Sequence, residues 1–428
     1  MPSRRAYLGS LIAGGFVGLA GCSDAGSVSG NWPRTGYDDG NTSDVTHWDG
    51  PGATLGEAWR AEIPDGGYHS TPAVADGNLY LGYGSGRGAG PPAEVGIRVL
   101  DAAAGETIRD IPVSTYRGDR LSETLYRDSI VALDGAVYVL SFDGVYSYEP
   151  DGEERWYCSI DGSPNRTNQR AGHPVVVDGV VYAPTASVTE ATDGVEGLLA
   201  IDDDSGDVLW RYEVPSDADQ GWTFSAAFAD ELVYVSILDQ GVVAINATAG
   251  DVEWRRNAPV YGPPTVVDGR LFASLHFGAE SGIVGVDAKT GDELWFREGP
   301  GERLNREIAA ANGNIYCREQ LHDVVCRDGE SGEERWRYSE AESVSVGRPV
   351  VTDNALYVGA DLGGDRDAGV LCLDPETGDR IGFIGLSTNA GIRGMLAASA
   401  ERLFLNASNG LVFGLDACSV DVGGHCLY

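Results

Sequence analysis

Lysine is nearly missing from this chain: Lys289 stands alone among 30 basic residues, against 65 Asp and Glu, for a formal charge of −35 at pH 7. A surface so uniformly negative repels nucleic acid and anionic lipid, which removes both from the partner classes. Beyond the first 31 residues no apolar run approaches the 18 or so residues that a membrane-spanning helix requires. Cys-x-x-Cys, adjacent cysteines, His-x-His and His-Glu-x-x-His are all absent. The pattern therefore supplies no metal-ligand spacing and no catalytic residue. Glycine, by contrast, is plentiful at 60 residues, mostly in turn-like pairs between short β-branched runs. That distribution predicts many short strands joined by tight turns.

The N-terminus reads as an address. Ser3-Arg4-Arg5-Ala6-Tyr7-Leu8 has the twin-arginine form, followed by an apolar stretch from Leu8 to Ala20 that is too short to cross a bilayer. Leu19-Ala20-Gly21-Cys22 resembles a lipobox, so Cys22 is the expected lipidation site and residues 1–22 the signal. Residues 23–54 follow as a tether and lead-in segment. The expected location is the outer face of the cell membrane, with the lipid as the only membrane contact. Acidic, lysine-poor chains of this kind resemble proteins of extreme halophiles, archaeal ones in particular. An acidic secreted protein from ordinary salt is the alternative.

From residue 55 to 416 the chain repeats a unit of roughly 46 residues, the period of a propeller blade. The first half is a β-branched run, a two-residue turn, and a hydrophobic-aromatic pair ending at Tyr80, Tyr138, Tyr182, Tyr234, Phe272, Tyr316, Tyr357 and Phe404. Asp-Gly at 76–77, 134–135, 178–179 and 268–269, and Asn312-Gly313, suit a type I′ hairpin turn. The second half is clearest in Asp287, Gly291 and Trp295, a spacing repeated at Asp202/Gly206/Trp210, Asn246/Gly250/Trp254 and Asp328/Gly332/Trp336. Degenerate copies include Tyr148/Gly152/Trp156, Asp101/Gly105 and Asp374/Gly378.

These residues resemble the pyrroloquinoline-quinone-type propeller repeat, Ala-x-Asp-x-x-Thr-Gly-x-x-x-Trp. That family includes quinoprotein alcohol dehydrogenases and the propeller lipoprotein of the bacterial outer-membrane assembly machinery. The resemblance implies an all-β, eight-bladed propeller with four antiparallel strands per blade. It also implies that Trp156, Trp210, Trp254, Trp295 and Trp336 pack on the neighbouring blade's turn. The eighth copy lacks its outermost strand, while Gly56-Glu57-Ala58-Trp59-Arg60 is a strand without a hairpin, so the N-terminus is expected to close the ring. Residues 417–428 form a tail.

Two disulfides are candidates in an oxidising compartment: Cys317 with Cys326 across one hairpin, and Cys418 with Cys426 across the tail. For Cys326 the alternative is a small buried residue, because it fills a slot held elsewhere by Ala or Gly. Asp202-Asp203-Asp204 superficially resembles a calcium loop but stands in register with the repeat turn, and Gly82 to Gly90 reads as an exposed hairpin loop. Four Asn-x-Ser/Thr sequons stand at Asn41, Asn165, Asn246 and Asn406. Just upstream of the innermost strands lie Arg127, Arg170, Arg306, Arg348 and Arg393, with His69, Trp222 and Tyr261 at related positions. This phase of the repeat lies near one mouth of the channel, where such a ring suits an anionic or planar ligand; ion pairs with neighbouring carboxylates are the alternative.

The expected function is a monomeric, non-catalytic binding or scaffold propeller for a protein or cell-envelope partner, without cofactor. A quinone-dependent dehydrogenase, carrying pyrroloquinoline quinone and calcium, is the alternative. Those enzymes carry adjacent cysteines beside the quinone, and this chain has none. An extracellular ligand sensor is the second alternative.

Overall fold

The structure is a computed structural model. It describes residues 28–427 except 64–67, 85–94, 114–128, 142–143, 161–171, 186–196, 215–224, 239, 276–280, 300–306, 320–322, 340–342, 347, 363–366, 387–395, 408, 419 and 423–424. At 68–69, 84, 343–346, 361–362, 367–368, 420–422 and 425–427 it describes the backbone alone.

Val175–Val177, Val180–Thr185, Gly197–Asp202 and Val208–Glu213 pair in that order as one antiparallel sheet, the third blade. Its first turn, Asp178-Gly179, takes φ of 50° and 77°, the left-handed pair that matches the twist of the flanking strands. The three inner strands are buried because a neighbouring blade covers each face, whereas the outermost strand alternates between exposed and covered residues. The same four-strand order recurs to give an eight-bladed all-β propeller, with a separate two-stranded hairpin, Val420–Val422 and His425–Leu427, in the tail. In the eighth blade the outermost strand is Leu55–Glu62, paired antiparallel to Leu411–Ala417. Among the described residues no helix is long and apolar enough to cross a membrane.

The hydrophobic core lies between blades. One cluster joins Tyr138, Val145 and Trp156 of the second blade to Val181, Leu199 and Ile201 of the third. Among the described residues, six of the eight seams also carry an indole staple. Trp156 Nε1 donates to the Asp203 carbonyl at 2.5 Å, Trp210 to Ala247 at 2.8 Å, and Trp254 to Ala288 at 2.9 Å. Trp295 donates to Gly329 at 3.1 Å and Trp336 to Pro375 at 3.0 Å. A sixth staple, absent from the expected set, is Trp59 to Ala102 at 3.1 Å, which joins the eighth blade to the first. Burying an indole with its N–H satisfied supplies apolar area without an orphaned donor.

Because successive strands alternate in direction, the two faces of the disc differ. One carries the two-residue hairpin turns and the Asp-to-Gly turns. The longer connections between blade strands start and end on the other, as at Gly84 and Val95, Pro112 and Ile130, Ser159 and Val175, and Thr185 and Gly197.

Candidate functional site

The lead-in segment lies inside the ring. It circles the channel at the short-turn face, bonding the innermost strands in blade order. Ser29 accepts from the Ala400 N–H of the eighth blade, Trp32 exchanges bonds with Val74 of the first, and Pro33 accepts from Ala132 of the second. Asp39, Gly40, Thr42 and Ser43 then accept from Phe228, Val266, Ala310 and Val351 of blades four to seven. Backbone amides that would otherwise be orphaned on the channel wall are thus satisfied by the chain's own N-terminal segment.

Side chains complete the seal. Asn41, at φ 59°, donates from Nδ2 to the carbonyls of Ala226 at 2.9 Å and Pro264 at 3.1 Å. Arg34 Nη2 meets Asp39 Oδ1 at 2.7 Å. Asp38 accepts from Thr42 N at 2.8 Å, and burial pushes its carboxyl upward. Arg348 Nη1 reaches the Asn41 carbonyl at 3.3 Å.

His173 was not singled out in the sequence, where the histidines look scattered. It lies upstream of the third inner strand at the register that Arg348 holds in the seventh, and its amide donates to Ser225 Oγ at 3.2 Å. It is fully buried, Nδ1 lies 3.3 Å from the Pro174 carbonyl, and Nε2 has no hydrogen-bond partner among the described residues. Desolvation, reinforced by the charges of Arg34 and Arg348, holds it neutral, well below the usual histidine range. His173, Asn41 and Ser43 expose nothing, so this end of the channel is packed shut.

Of the expected ligand ring, Arg348 is 2% exposed and committed to the lead-in segment. Tyr261 is half-buried, its amide bonded to the Ser274 carbonyl at 2.9 Å. His69 lies on the short strand Tyr68–His69, of which only the backbone is described. Arg127, Arg170, Trp222, Arg306, Arg393 and the lipidation residue Cys22 lie outside the described residues.

The Cys317–Cys326 bridge is corrected: both thiols are free and buried. Cys317 pairs with Val325 and Cys326 with Tyr316. That one-residue offset sends the two side chains to opposite faces of the sheet. Cys317 packs between blades five and six and Cys326 between six and seven. Cys418 is disulfide-bonded, and the side chain of Cys426 lies outside the described residues.

The acidic turn at Asp202 is structural. Asp202 Oδ1 accepts from Ser205 N at 2.9 Å, and Asp203 accepts from Tyr138 at 2.7 Å and Arg155 at 3.1 Å. No group of three His, Cys, Asp or Glu among the described residues gathers to hold a metal ion. Two sequons are closed by burial, since Asn41 and Asn406 spend their amides on buried carbonyls. Asn165 is not described, and Asn246 is part-exposed at its turn.

A planar quinone does not fit the described end of the channel, which the lead-in segment fills. Cys158, Cys317, Cys326 and Cys372 are all buried on blade strands.

A family profile described as outer membrane protein assembly factor BamB matches residues 93–257 and 195–419. Among solved structures, BamB from Moraxella catarrhalis is 16% identical, with a TM-score of 0.58 over 86% of this chain and 100% of that one. The quinohemoprotein alcohol dehydrogenase ADHIIG from Pseudomonas putida HK5 is 15% identical, with a TM-score of 0.65 over 93% of this chain and 82% of that one. The corresponding enzyme from Comamonas testosteroni is 13% identical, with a TM-score of 0.68 over 95% and 82%. No curated protein matches the chain. At such identities the structural likeness shows the fold alone.

Proposed function

Because the chain belongs to the family of the outer-membrane assembly factor BamB, we propose that it is an exported, lipid-anchored propeller that holds a protein or cell-envelope component on its long-loop face. The observation that carries this reading is the sealed floor. With the short-turn mouth filled by residues 29–48, a ligand or partner is left with the opposite face, where the longer connections between blade strands start and end. The signal and lipobox of residues 1–22 supply the export route and anchor in this reading.

The test is photo-cross-linking on intact cells, with the reactive group at Tyr261 on the long-loop face or at Asn354 on the short-turn face. A discrete adduct at Tyr261 and none at Asn354 is the expected result. Equal labelling at both, or none at either, would remove the binding-face assignment.

A quinone-dependent dehydrogenase is the second reading, favoured by the two alcohol dehydrogenases that share the fold over most of this chain. Bound quinone would give the purified protein a visible absorbance with stoichiometric calcium. A colourless, calcium-free protein would discard that reading.

A further inference from the structure

We infer that the short-turn face is the membrane-proximal face of the anchored protein, held against the lipid headgroups while the long-loop face points away. The inference rests on the lipid anchor at Cys22 proposed above.

The described chain begins at Val28 and meets the disc on one face only. Ser29 N donates to Glu401 Oε2 at 2.9 Å, and Asn31 accepts from Asp76 N at 3.0 Å; both acidic residues are turn residues of that face. Five residues, and so six Cα-to-Cα steps, lie between Val28 and Cys22, a reach of at most about 20 Å when fully extended. The outer strands run about that length from face to face at roughly 3.3 Å per residue. A chain that short, leaving from the short-turn face, cannot pass the rim and bring the opposite face to the bilayer.

The charge of that face makes its distance from the headgroups depend on salt. Asp76, Asp134, Asp178, Asp268, Asp353 and Glu401 are all exposed on its inner turns. Against anionic headgroups such a ring is repelled over about 8 Å at 0.15 M salt but only about 3 Å at 1 M. The tether prevents escape, so the disc stands off at low salt and settles at high salt.

The experiment uses the full lipidated chain in vesicles that carry a headgroup-attached spin-label quencher, with a fluorophore at Asn354→Cys on the short-turn face or at Asn257→Cys, exposed at the long-loop end of Val252–Arg256. The remaining described thiols are buried or disulfide-bonded and do not compete for label. Vesicle flotation of the protein, compared with Cys22→Ala, first establishes the anchor; co-flotation of both forms would overturn the anchoring reading itself. With the anchor established, quenching at Asn354→Cys is expected to exceed that at Asn257→Cys at least threefold. In anionic vesicles, but not zwitterionic ones, it is expected to rise between 0.15 M and 2 M salt. Equal quenching at the two positions, or stronger quenching at Asn257→Cys, in a protein that floats by its lipid would overturn the orientation alone.

Discussion

Gly291 of the fifth blade lies against the indole of Trp254 in the fourth: a Cβ on the glycine would stand 2.7 Å from the ring, and its φ is +75°. One residue thus answers two demands, a left-handed turn and a neighbour's aromatic face. The tryptophan's N–H, bonded to the Ala288 carbonyl three residues before that glycine, fixes the ring in place. This pairing explains why the repeat keeps Gly and Trp at fixed spacing although the two that touch belong to adjacent copies.

Gly291→Ala is expected to cost about 3 kcal/mol, about 1 from the left-handed backbone and about 2 from the clash. Gly179 has φ +77° with nothing near its absent side chain, so Gly179→Ala is expected to cost only about 1 kcal/mol. Denaturant titration of both variants at fixed salt checks the difference, and equal costs would show that the indole contact carries no strain.

Trp254→Phe keeps most of the ring and loses the donor to Ala288, for an expected loss of about 1–2 kcal/mol. Combined with Gly291→Ala it should be less than additive, because the smaller ring relieves the clash. A double-mutant cycle measures this coupling.

His173 gives acid sensitivity of a defined sign. Its folded pKa is depressed by burial and by Arg34 and Arg348, so the unfolded chain binds the extra proton first. The neutral ring's contribution is intact above about pH 6.5 and is lost as pH falls below that value, by up to about 1.4 kcal/mol per pH unit. His173→Gln should flatten the slope of melting temperature against pH between about 6.5 and 5. An unchanged slope would place the acid sensitivity elsewhere.

Asn41 holds two carbonyls and a left-handed backbone at once. Asn41→Gly is expected to cost about 2 kcal/mol for the buried acceptors left unpaired, and Asn41→Ala about 1 kcal/mol more for the backbone. Thermal melts of the pair separate the two contributions.

The thiols of Cys326 and Cys372 are pushed by burial up to about 12. With Cys158 and Cys317 they are expected to resist maleimide in the native state and to label fully in denaturant. Non-reducing peptide mapping should find no Cys317–Cys326 link.

The blades were legible in the sequence because their determinants are local. A hairpin needs positive φ at two adjacent residues, and Asp178-Gly179 announces it; a staple needs Trp at a fixed distance from a turn. Trp59 falls outside that fixed spacing because its blade is split between the two chain ends. The plug was not legible. It meets the innermost strands mainly through backbone groups of Trp32, Pro33, Asp39, Gly40, Thr42 and Ser43, and a backbone carbonyl has the same chemistry under any side chain. His173 stayed hidden for a related reason: Ser225, which its amide bonds, and the charges of Arg34 and Arg348 that act on it are all remote in sequence. The cysteine pairing failed on register, since strand proximity alone does not say which face a side chain takes.

The order in which residues 29–43 meet the blades has a consequence for how the ring can change over time. A tandem repeat grows or shrinks readily by whole copies, and a sheet-to-sheet seam accepts one more identical neighbour. The lead-in segment does not: it is a ruler laid around the inner circumference, with one mark for nearly every blade. A chain that gained or lost a copy would find its marks out of step with its strands, with buried amides unanswered along the arc. The number of blades is in this way written twice, once in the repeats and once in a segment that is not a repeat, and the two must change together or not at all.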